Sequence, residues 1–315
     1  MMKETYQTDL LAAQATNIDE KASALTTTRV DRLWIALALL SLYLIWGATY
    51  LGMRLALISF PAFIMAGIRF LIAGGCMYVV LRVRGTPAPN RTQWLGSALV
   101  GILLLAGGNG GVAFAEQWVA TGISAVGIAA VPLWAALAFG LMGRWPTRIE
   151  WCGLGLGFAG VLLLNLENGL WTNPLGAISL LLAPMCWALG SALSTRVTMP
   201  SGLMASAAQM LIGGSILLIG GLLLGERVHG LPTIQALEAM AFLVIFGSFI
   251  AFSAYGYLLR RVRPALATSY AYVNPVVAVV LGIGFDGEHI TVVGLLAMLI
   301  ILTGVGLVSL TRKHP

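Results

Sequence analysis

An all-helical integral membrane protein with ten transmembrane helices is the fold class that this sequence predicts. Hydrophobic residues make up 59% of its 315 residues and charged residues only 10%, whereas a water-soluble fold of this size needs far more surface charge. Ten separate apolar stretches are each long enough to cross a bilayer, which takes about 20 residues for a hydrocarbon core about 30 Å thick. Half of the charged residues lie in the short loops between these stretches, and most of the others lie in the N-terminal segment.

The candidate spans follow one another with short connections. The first five run near Leu33–Arg54, Pro61–Leu81, Trp94–Ala115, Trp118–Leu141 and Trp151–Leu166. The second five run near Pro174–Arg196, Leu203–Leu224, Ile234–Leu259, Pro264–Gly284 and Ile290–Leu310. The polar N-terminal segment 1–32 is mixed in charge and rich in Thr, which predicts a disordered cytoplasmic tail. Because this segment lacks the apolar core and cleavage site of a secretory signal, we expect the first span to be retained as an anchor.

The positions of Lys and Arg predict the orientation of the chain, since cytoplasmic loops are enriched in these residues. If the N-terminus is cytoplasmic, fifteen of the eighteen basic residues fall on the cytoplasmic side. The opposite side keeps Arg54 and Arg227, and Arg69 lies within a span. A miscounted helix would scramble this alternation, so the pattern supports ten spans with both termini in the cytoplasm.

An internal repeat relates the two halves of the chain. Five residues of the second span recur 139 positions later, as Pro61 and Pro200, Met65 and Met204, Ala66 and Ala205, Gly74 and Gly213, and Gly75 and Gly214. The two repeats are predicted over residues 33–166 and 174–310. Because five helices are an odd number, the second repeat must enter the membrane from the opposite face. Inverted repeats characterise many secondary transporters, with the substrate site near the midplane between the halves, so the sequence predicts transport.

Four local motifs resemble the drug/metabolite transporter superfamily, in its EamA-type branch. They are IWGATY at Ile45–Tyr50, PAFIMAGIRF at Pro61–Phe70, MCWALGS at Met185–Ser191 and ATSYAYVNPVVAVVLG at Ala267–Gly282. The resemblance covers about residues 33–310. It implies two five-helix repeats around a central cavity, a bacterial inner-membrane location, and small organic substrates that are usually exported. One departure is that Gly287–Glu288 of the second repeat is matched by Gly143–Arg144 in the first.

Arg69 is the sharpest functional candidate. Starting from Pro61, the helical rise of 1.5 Å per residue places it about 12 Å into a core of about 30 Å. An arginine near the helix centre costs roughly 2.5–3.5 kcal/mol on insertion scales, so we expect a partner inside the bundle. Its guanidinium could bind a substrate carboxylate through two hydrogen bonds. The alternative is a structural arginine that bonds backbone carbonyls or reaches towards the interface.

Two prolines at matching positions are candidates for gating or hinge roles. Pro132 and Pro275 each lie well inside a predicted span, the fourth and the ninth. A proline inside a helix frees the carbonyl four residues earlier, and a freed carbonyl at the midplane can face substrate or act as a hinge. Proline kinks without a functional role are the alternative.

Polar and aromatic residues form stripes at helical spacing on several spans, typical of a cavity lining with a few convergent polar groups. The cavity candidates besides Arg69 are Tyr43, Trp46, Tyr50, Asn109, Trp187, Ser191, Tyr270 and Asn274. Another stripe joins Ser248, Phe252 and Tyr255 on the eighth span. Aromatic faces would attract a cationic ammonium group. Interfacial aromatic belts and packing of small residues are the alternatives for any single member.

Other function classes find little support in the sequence. A GxxxxGK[ST] phosphate loop is absent, which argues against direct ATP coupling, and HExxH is absent too. The three cysteines show neither paired spacing nor neighbouring histidines, so we expect no metal, no cofactor and no enzymatic activity. Basic residues lie in loops rather than in a patch, so nucleic acid is not an expected partner. The partners are the lipid bilayer and a small-molecule substrate, and the oligomeric state is open between monomer and dimer.

The sequence therefore predicts a secondary transporter of the inner membrane that exports small organic metabolites, such as amino acids, amines or drug-like compounds, by alternating access. The alternative is an importer or antiporter of an anionic metabolite with Arg69 as the anion ligand. Facilitated diffusion, exchange and proton coupling through Glu116 all remain open as energy sources. Glu116 lies near the outer end of its span, where acidic residues are commonly interfacial, while proton-coupled carriers place acidic residues deeper.

Overall fold

The protein is described by a computed structural model that covers residues 31–118, 124, 127–165, 174–286 and 292–310. These residues form helices joined by turns and irregular segments, and none of them is in a β-strand. The helices are α1 Asp31–Leu57, α2 Ala62–Val83, α3 Arg91–Ala115, α4 Val131–Leu141, α5 Arg148–Asn165, α6 Pro174–Ser194, α7 Leu203–Leu223, α8 Ile234–Arg261, α9 Tyr270–Asp286 and α10 Val292–Leu310. The predicted tail 1–32 lies almost entirely outside the described residues, as do Gly287 and Glu288.

Six of these helices are long and apolar enough to cross a membrane, namely α1, α2, α3, α6, α7 and α8. Helix α4 and most of α10 are apolar but shorter. Large apolar side chains such as Leu182, Leu222 and Leu299 are about half exposed, and such side chains recur along the helices. An apolar surface of this extent is unsuited to water and fits hydrocarbon.

Two of the predicted spans are interrupted. The predicted ninth span forms a single helical turn at Pro264–Ala267, and α9 begins only after Thr268 and Ser269. In the predicted fourth span, a turn at residues 129–130 precedes α4. The same kind of backbone hydrogen bond, from one residue to the residue three positions earlier, stabilises both turns. Ala130 N–H donates to Gly127 O at 3.2 Å, and Ser269 N–H donates to Leu266 O at 3.3 Å.

The interruption changes the setting of one predicted hinge. Pro132 lies in the first turn of α4, where the backbone N–H that proline lacks would have no helical partner. The expectation that Pro132 removes a bond from a helix interior is therefore wrong. Pro275, in contrast, lies inside α9, where it does remove such a bond.

Three helices contain widened, π-helical segments. They cover Leu42–Trp46 in α1, Ile102–Gly110 in α3 and Leu243–Ile250 in α8. A π-helical turn leaves some carbonyls without their usual α-helical partner and is frequent at functional sites. The Gly247 carbonyl illustrates this, because it accepts a hydrogen bond from Trp46 Nε1 at 3.0 Å.

Glycines bring helices of the two halves into close antiparallel contact. A Cβ atom on Gly74 of α2 would lie 3.1 Å from both Ala207 O and Leu211 N of α7. A Cβ atom on Gly214 of α7 would lie 3.0 Å from Gly67 O and Leu71 N of α2. The same reciprocity holds between α5 and α10 at Gly153 and Gly304. Such approaches need small residues, as in other membrane helix pairs.

Two glutamates join the halves at the ends of the helices. The Glu226 carboxylate accepts hydrogen bonds from the backbone N–H groups of Phe63 and Ile64, at 3.2 and 2.9 Å, and so caps the N-terminus of α2. Glu150, which is buried at the start of α5, accepts a forked pair of bonds from the Arg263 guanidinium. Glu150 also accepts from Thr147 N–H at 2.7 Å, which closes the N-terminus of α5.

Candidate functional site

A small cavity lies in the interior of the bundle, where residues of both halves meet. Its volume is about 50 Å³, little more than the roughly 30 Å³ that one water molecule occupies in the liquid. It is lined by Trp46, Thr49, Tyr50, Met53, Arg69, Gly108, Asn109, Val112, Ile128, Val131, Ala183, Trp187, Tyr270 and Asn274. We call this space the central cavity.

Polar groups in the central cavity are buried without hydrogen-bond partners among the described residues. They are Arg69 Nε and Nη1, Asn109 Oδ1 and Asn274 Oδ1. Arg69 and Asn274 are each only 2% exposed. The great majority of buried polar atoms in proteins are hydrogen-bonded. Four polar atoms without hydrogen-bond partners around one small space make this space a candidate site for a polar ligand. The Tyr50 hydroxyl interacts with the Asn274 side chain.

Aromatic rings pack against one another along one side of the central cavity. The Trp46 ring centroid lies 4.6 Å from that of Tyr270, 5.3 Å from that of Tyr255 and 5.4 Å from that of Trp187. Trp187 Nε1 donates to Tyr255 Oη at 3.1 Å, and Ser191 Oγ lies 2.6 Å from Tyr255 Oη. We call Trp46, Trp187, Tyr255 and Tyr270 the aromatic cluster. In contrast to the unpaired groups above, the polar atoms of Trp46, Trp187 and Tyr255 form hydrogen bonds with each other, with Ser191 or with the backbone.

Two larger openings flank the central cavity. The first vestibule, of about 360 Å³, is lined by residues that include Ser194, Gln209, Tyr255, Arg260 and Arg261. Because Tyr255 lines this vestibule and also contacts three rings of the central cavity, the aromatic cluster separates the two spaces.

The second vestibule, of about 750 Å³, is lined by residues that include Arg54, Glu116, Arg227 and His229. Glu116 lies within electrostatic range of Arg69 and Arg54. Charged side chains therefore lie between the central cavity and this second opening.

The structure brings most of the predicted cavity residues together. Trp46, Tyr50, Arg69, Asn109, Trp187, Tyr270 and Asn274 all line the central cavity. Tyr43 does not, and its hydroxyl instead lies 2.7 Å from Ser269 Oγ at the interruption before α9. Ser191 lies behind the cavity wall against Tyr255, and neither Pro132 nor Pro275 lines the cavity. Glu116 faces the second vestibule.

Some lining residues carried no signal in the sequence. Met53, Val112, Ile128 and Ala183 are apolar residues in apolar helices, so nothing distinguishes them from residues that face lipid. Thr49 follows the spacing of the α1 stripe but bonds its own helix, because its Oγ1 donates to Trp46 O at 2.7 Å. Tyr255 belonged to a predicted stripe, although it was not among the cavity candidates, and its hydroxyl links two of the helices.

The sequence matches the profile of the EamA-like transporter family twice, over residues 33–166 and 174–310. The chain belongs to the EamA family of the drug/metabolite transporter superfamily. Membership and the six spanning helices make it a multi-pass membrane transporter.

Curated relatives and a solved structure agree with this membership. The chain is 46% identical over 276 residues to the inner membrane transporter YedA of Escherichia coli, covering 87% of this chain and 90% of that protein. It is 24% identical to the transporter YoaV of Bacillus subtilis, covering 86% of this chain and 95% of that protein. A crystal structure aligns over 88% of this chain and 97% of its own with a TM-score of 0.72 and 18% identity, which shows a shared fold.

Proposed function

We propose that this EamA-family chain is a secondary transporter that exports a small organic metabolite across the inner membrane by alternating access. Alternating access means that the central cavity opens to one vestibule at a time. The inner-membrane location is supported by the relationship to YedA, and export by the resemblance to EamA-type exporters. The observation that carries the proposal is the central cavity itself, which is lined by residues of both halves. The aromatic cluster lies between it and the first vestibule, and Arg69 of its lining interacts electrostatically with Glu116 of the second vestibule.

Paired features of the two halves support two inverted five-helix repeats, and the distribution of Lys and Arg supports cytoplasmic termini. The turns at residues 129–130 and 268–269 lie 139 positions apart, and the π-helical segments of α3 and α8 begin 141 positions apart. Helix α2 packs against its predicted counterpart α7, and α5 packs against α10. Equivalent helices meet in this way when a two-fold axis lies between them. Interrupted helices at matching positions are the expected location of a transporter's substrate site.

The cavity lining supports a substrate that combines a polar head with an apolar body. Arg69 and two amide oxygens offer opposite polarity within one space, which suits a zwitterion such as an amino acid. The aromatic faces suit an amine or an apolar side chain. The alternative is import or exchange of an anionic metabolite, and it is favoured by the burial of Arg69, whose Nε and Nη1 have no hydrogen-bond partner among the described residues. The present volume is far below the roughly 300 Å³ or more of small-molecule sites, so the cavity must expand to admit substrate.

Transport rather than catalysis fits the chemistry of the cavity. Its lining holds neither a cysteine nor a histidine, and its one hydroxyl on a serine or threonine, that of Thr49, donates to the backbone. A nucleophile beside a base, which covalent catalysis requires, is thus missing from the described lining. We propose that the chain acts alone on its substrate in the bilayer, as a monomer or a dimer.

Metabolite profiling of the growth medium tests the proposal. Cells producing the wild-type chain are compared with cells carrying an empty vector and with cells producing the Asn274→Ala variant at equal membrane abundance. We expect one class of amine or amino acid to accumulate outside only with the wild type. Identical profiles would contradict export, and uptake and exchange measurements in liposomes would then decide between import and antiport. A variant profile equal to that of the wild type would remove Asn274 from the site.

A further inference from the structure

Glu116 is the acidic residue that interacts electrostatically with Arg69, yet the two side chains form no hydrogen bond. Both carboxylate oxygens of Glu116 are buried and lack hydrogen-bond partners among the described residues, as do Nε and Nη1 of Arg69. The two charges still interact through space. A buried charge without a partner is costly, so each of these groups gains from a change that would neutralise or pair it.

The two groups face different spaces. Arg69, on α2, lines the central cavity, whereas Glu116, at the end of α3, lines the second vestibule. Arg69 can therefore reach a solute in the central cavity. Glu116 borders the second vestibule, although its two carboxylate oxygens are shielded from solvent. The volume of about 50 Å³ beside Arg69 accepts a carboxylate group but not a whole metabolite.

We propose that Arg69 binds a carboxylate of the substrate and that Glu116, its counter-charge in the empty carrier, takes up one proton when that carboxylate binds. The inference rests on the proposed transport function and adds the chemistry of its substrate. With substrate bound, two carboxylates would otherwise surround one buried guanidinium and leave a net negative charge. Protonation of Glu116, from the side of the second vestibule that this residue borders, restores neutrality, so a carboxylate and a proton move together in the same direction.

Other charges near Glu116 do not remove this requirement. Arg54 of α1 also attracts Glu116, but it is exposed and therefore screened by solvent. Arg227 and His229 line the same vestibule. The Tyr50 hydroxyl of α1 lies within electrostatic range of Glu116 as well. Arg69 is the one among these cations that is buried and faces the central cavity.

Binding of acetate to the purified full-length protein tests the inference without knowledge of the natural substrate. Acetate is the probe because it is a carboxylate of nearly the size of the cavity, and acetamide is its neutral counterpart. Trp46 and Trp187 line the cavity, so intrinsic fluorescence reports binding. We expect acetate but not acetamide to change the fluorescence, with the uptake of one proton per acetate in a weakly buffered solution.

The pH dependence of acetate affinity shows whether acetate binding is coupled to the uptake or to the release of a proton. At a pH where Glu116 is ionised in the empty protein, each further pH unit weakens acetate binding tenfold, because one proton must be acquired for each acetate bound. In Glu116→Gln the site needs no proton, so acetate binds more tightly, independently of pH and without proton uptake. Glu238→Gln, an exposed residue on α8, is the matched control and keeps the wild-type dependence.

Arg69→Gln should abolish acetate binding, while Arg84→Gln, at an exposed position, should not. The inference is overturned if acetate and acetamide act alike, or if acetate binding in Glu116→Gln depends on pH as it does in the wild type. Because the test measures binding, it is separate from the export experiment. A chain that exports a metabolite but binds acetate without proton uptake would retain the proposed function and lose this inference.

Discussion

Towards the first vestibule, the central cavity is bounded by aromatic rings whose polar atoms are hydrogen-bonded, and towards the second vestibule by charged groups without described hydrogen-bond partners. On the first side, Tyr255 bonds both Trp187 and Ser191. On the second side, Arg69 Nε and Nη1 and both carboxylate oxygens of Glu116 are buried without described hydrogen-bond partners. A fully hydrogen-bonded network holds its side chains in one arrangement. Charged groups without hydrogen-bond partners are free to bind a ligand. We therefore expect the aromatic side to fix the shape of the site and the charged side to recognise the solute.

Removing the charge on the recognition side should have the largest effect. We expect Arg69→Ala to reduce transport of carboxylate-bearing substrates by at least tenfold, since a hydrogen bond to a charged group contributes about 1.5–3 kcal/mol and about 1.4 kcal/mol is a tenfold change. Uptake or efflux in liposomes containing equal amounts of folded protein measures it. Arg84→Ala is the control, and equal loss for neutral and carboxylate substrates would show that Arg69 is structural.

Removing a hydrogen bond within the aromatic cluster should reduce the stability of the protein. Tyr255→Phe leaves the buried Trp187 N–H without its partner, and an unsatisfied buried group of this kind costs about 1–3 kcal/mol. Thermal unfolding in detergent measures the loss, with Tyr257→Phe on the same helix as the control. An unchanged unfolding temperature would show that the hydroxyl does not hold the aromatic cluster.

The contact between the aromatic cluster and the π-helical segment of α8 should matter somewhat less. Trp46→Phe keeps an aromatic ring but removes the N–H that bonds Gly247 O, and the net contribution of a neutral hydrogen bond is about 0.5–1.5 kcal/mol. We expect hydrogen exchange of the α8 backbone near Gly247 to become faster. Exchange that stays unchanged there, but rises elsewhere, would place the effect in ring packing.

The smallest effect is expected outside the cavity. Tyr43→Phe removes one bond to Ser269, whose hydroxyl keeps a second bond to Leu266 O at 2.8 Å. Stability should fall by less than about 1 kcal/mol, and the transport rate at saturating substrate should stay within twofold. A loss as large as that of Arg69→Ala would instead make the interruption before α9 part of the substrate pathway.

The sequence predicted those cavity residues that are polar or aromatic, because such residues are unusual within apolar transmembrane helices. Arg69, Asn109 and Asn274 stand out within apolar helices, and helical spacing places Trp46 and Tyr50 on one face. The same spacing failed for Tyr43 because a stripe continues along its helix after the cavity has ended. The apolar lining residues, such as Met53 and Ile128, gave no signal, since the same residue types also face lipid.

Backbone irregularities were the part of the fold that the sequence did not predict. The predicted ninth span is continuous in hydropathy, yet Thr268 and Ser269 break it, with Thr268 Oγ1 donating to Pro264 O at 2.9 Å. Such a local bond competes with the helical ladder, and hydropathy does not register it. The π-helical segments likewise depend on neighbouring helices, as the bond from Trp46 to Gly247 shows.

The glycine contacts between α2 and α7 and between α5 and α10 restrict how this molecule can move. Each contact presses the backbone of one half against the backbone of the other, and replacing either glycine with a larger residue would force the pair apart. Two halves joined in this way do not separate as whole blocks. We therefore expect each body that shifts during a transport cycle to contain helices from both halves, with one of these glycine contacts inside it.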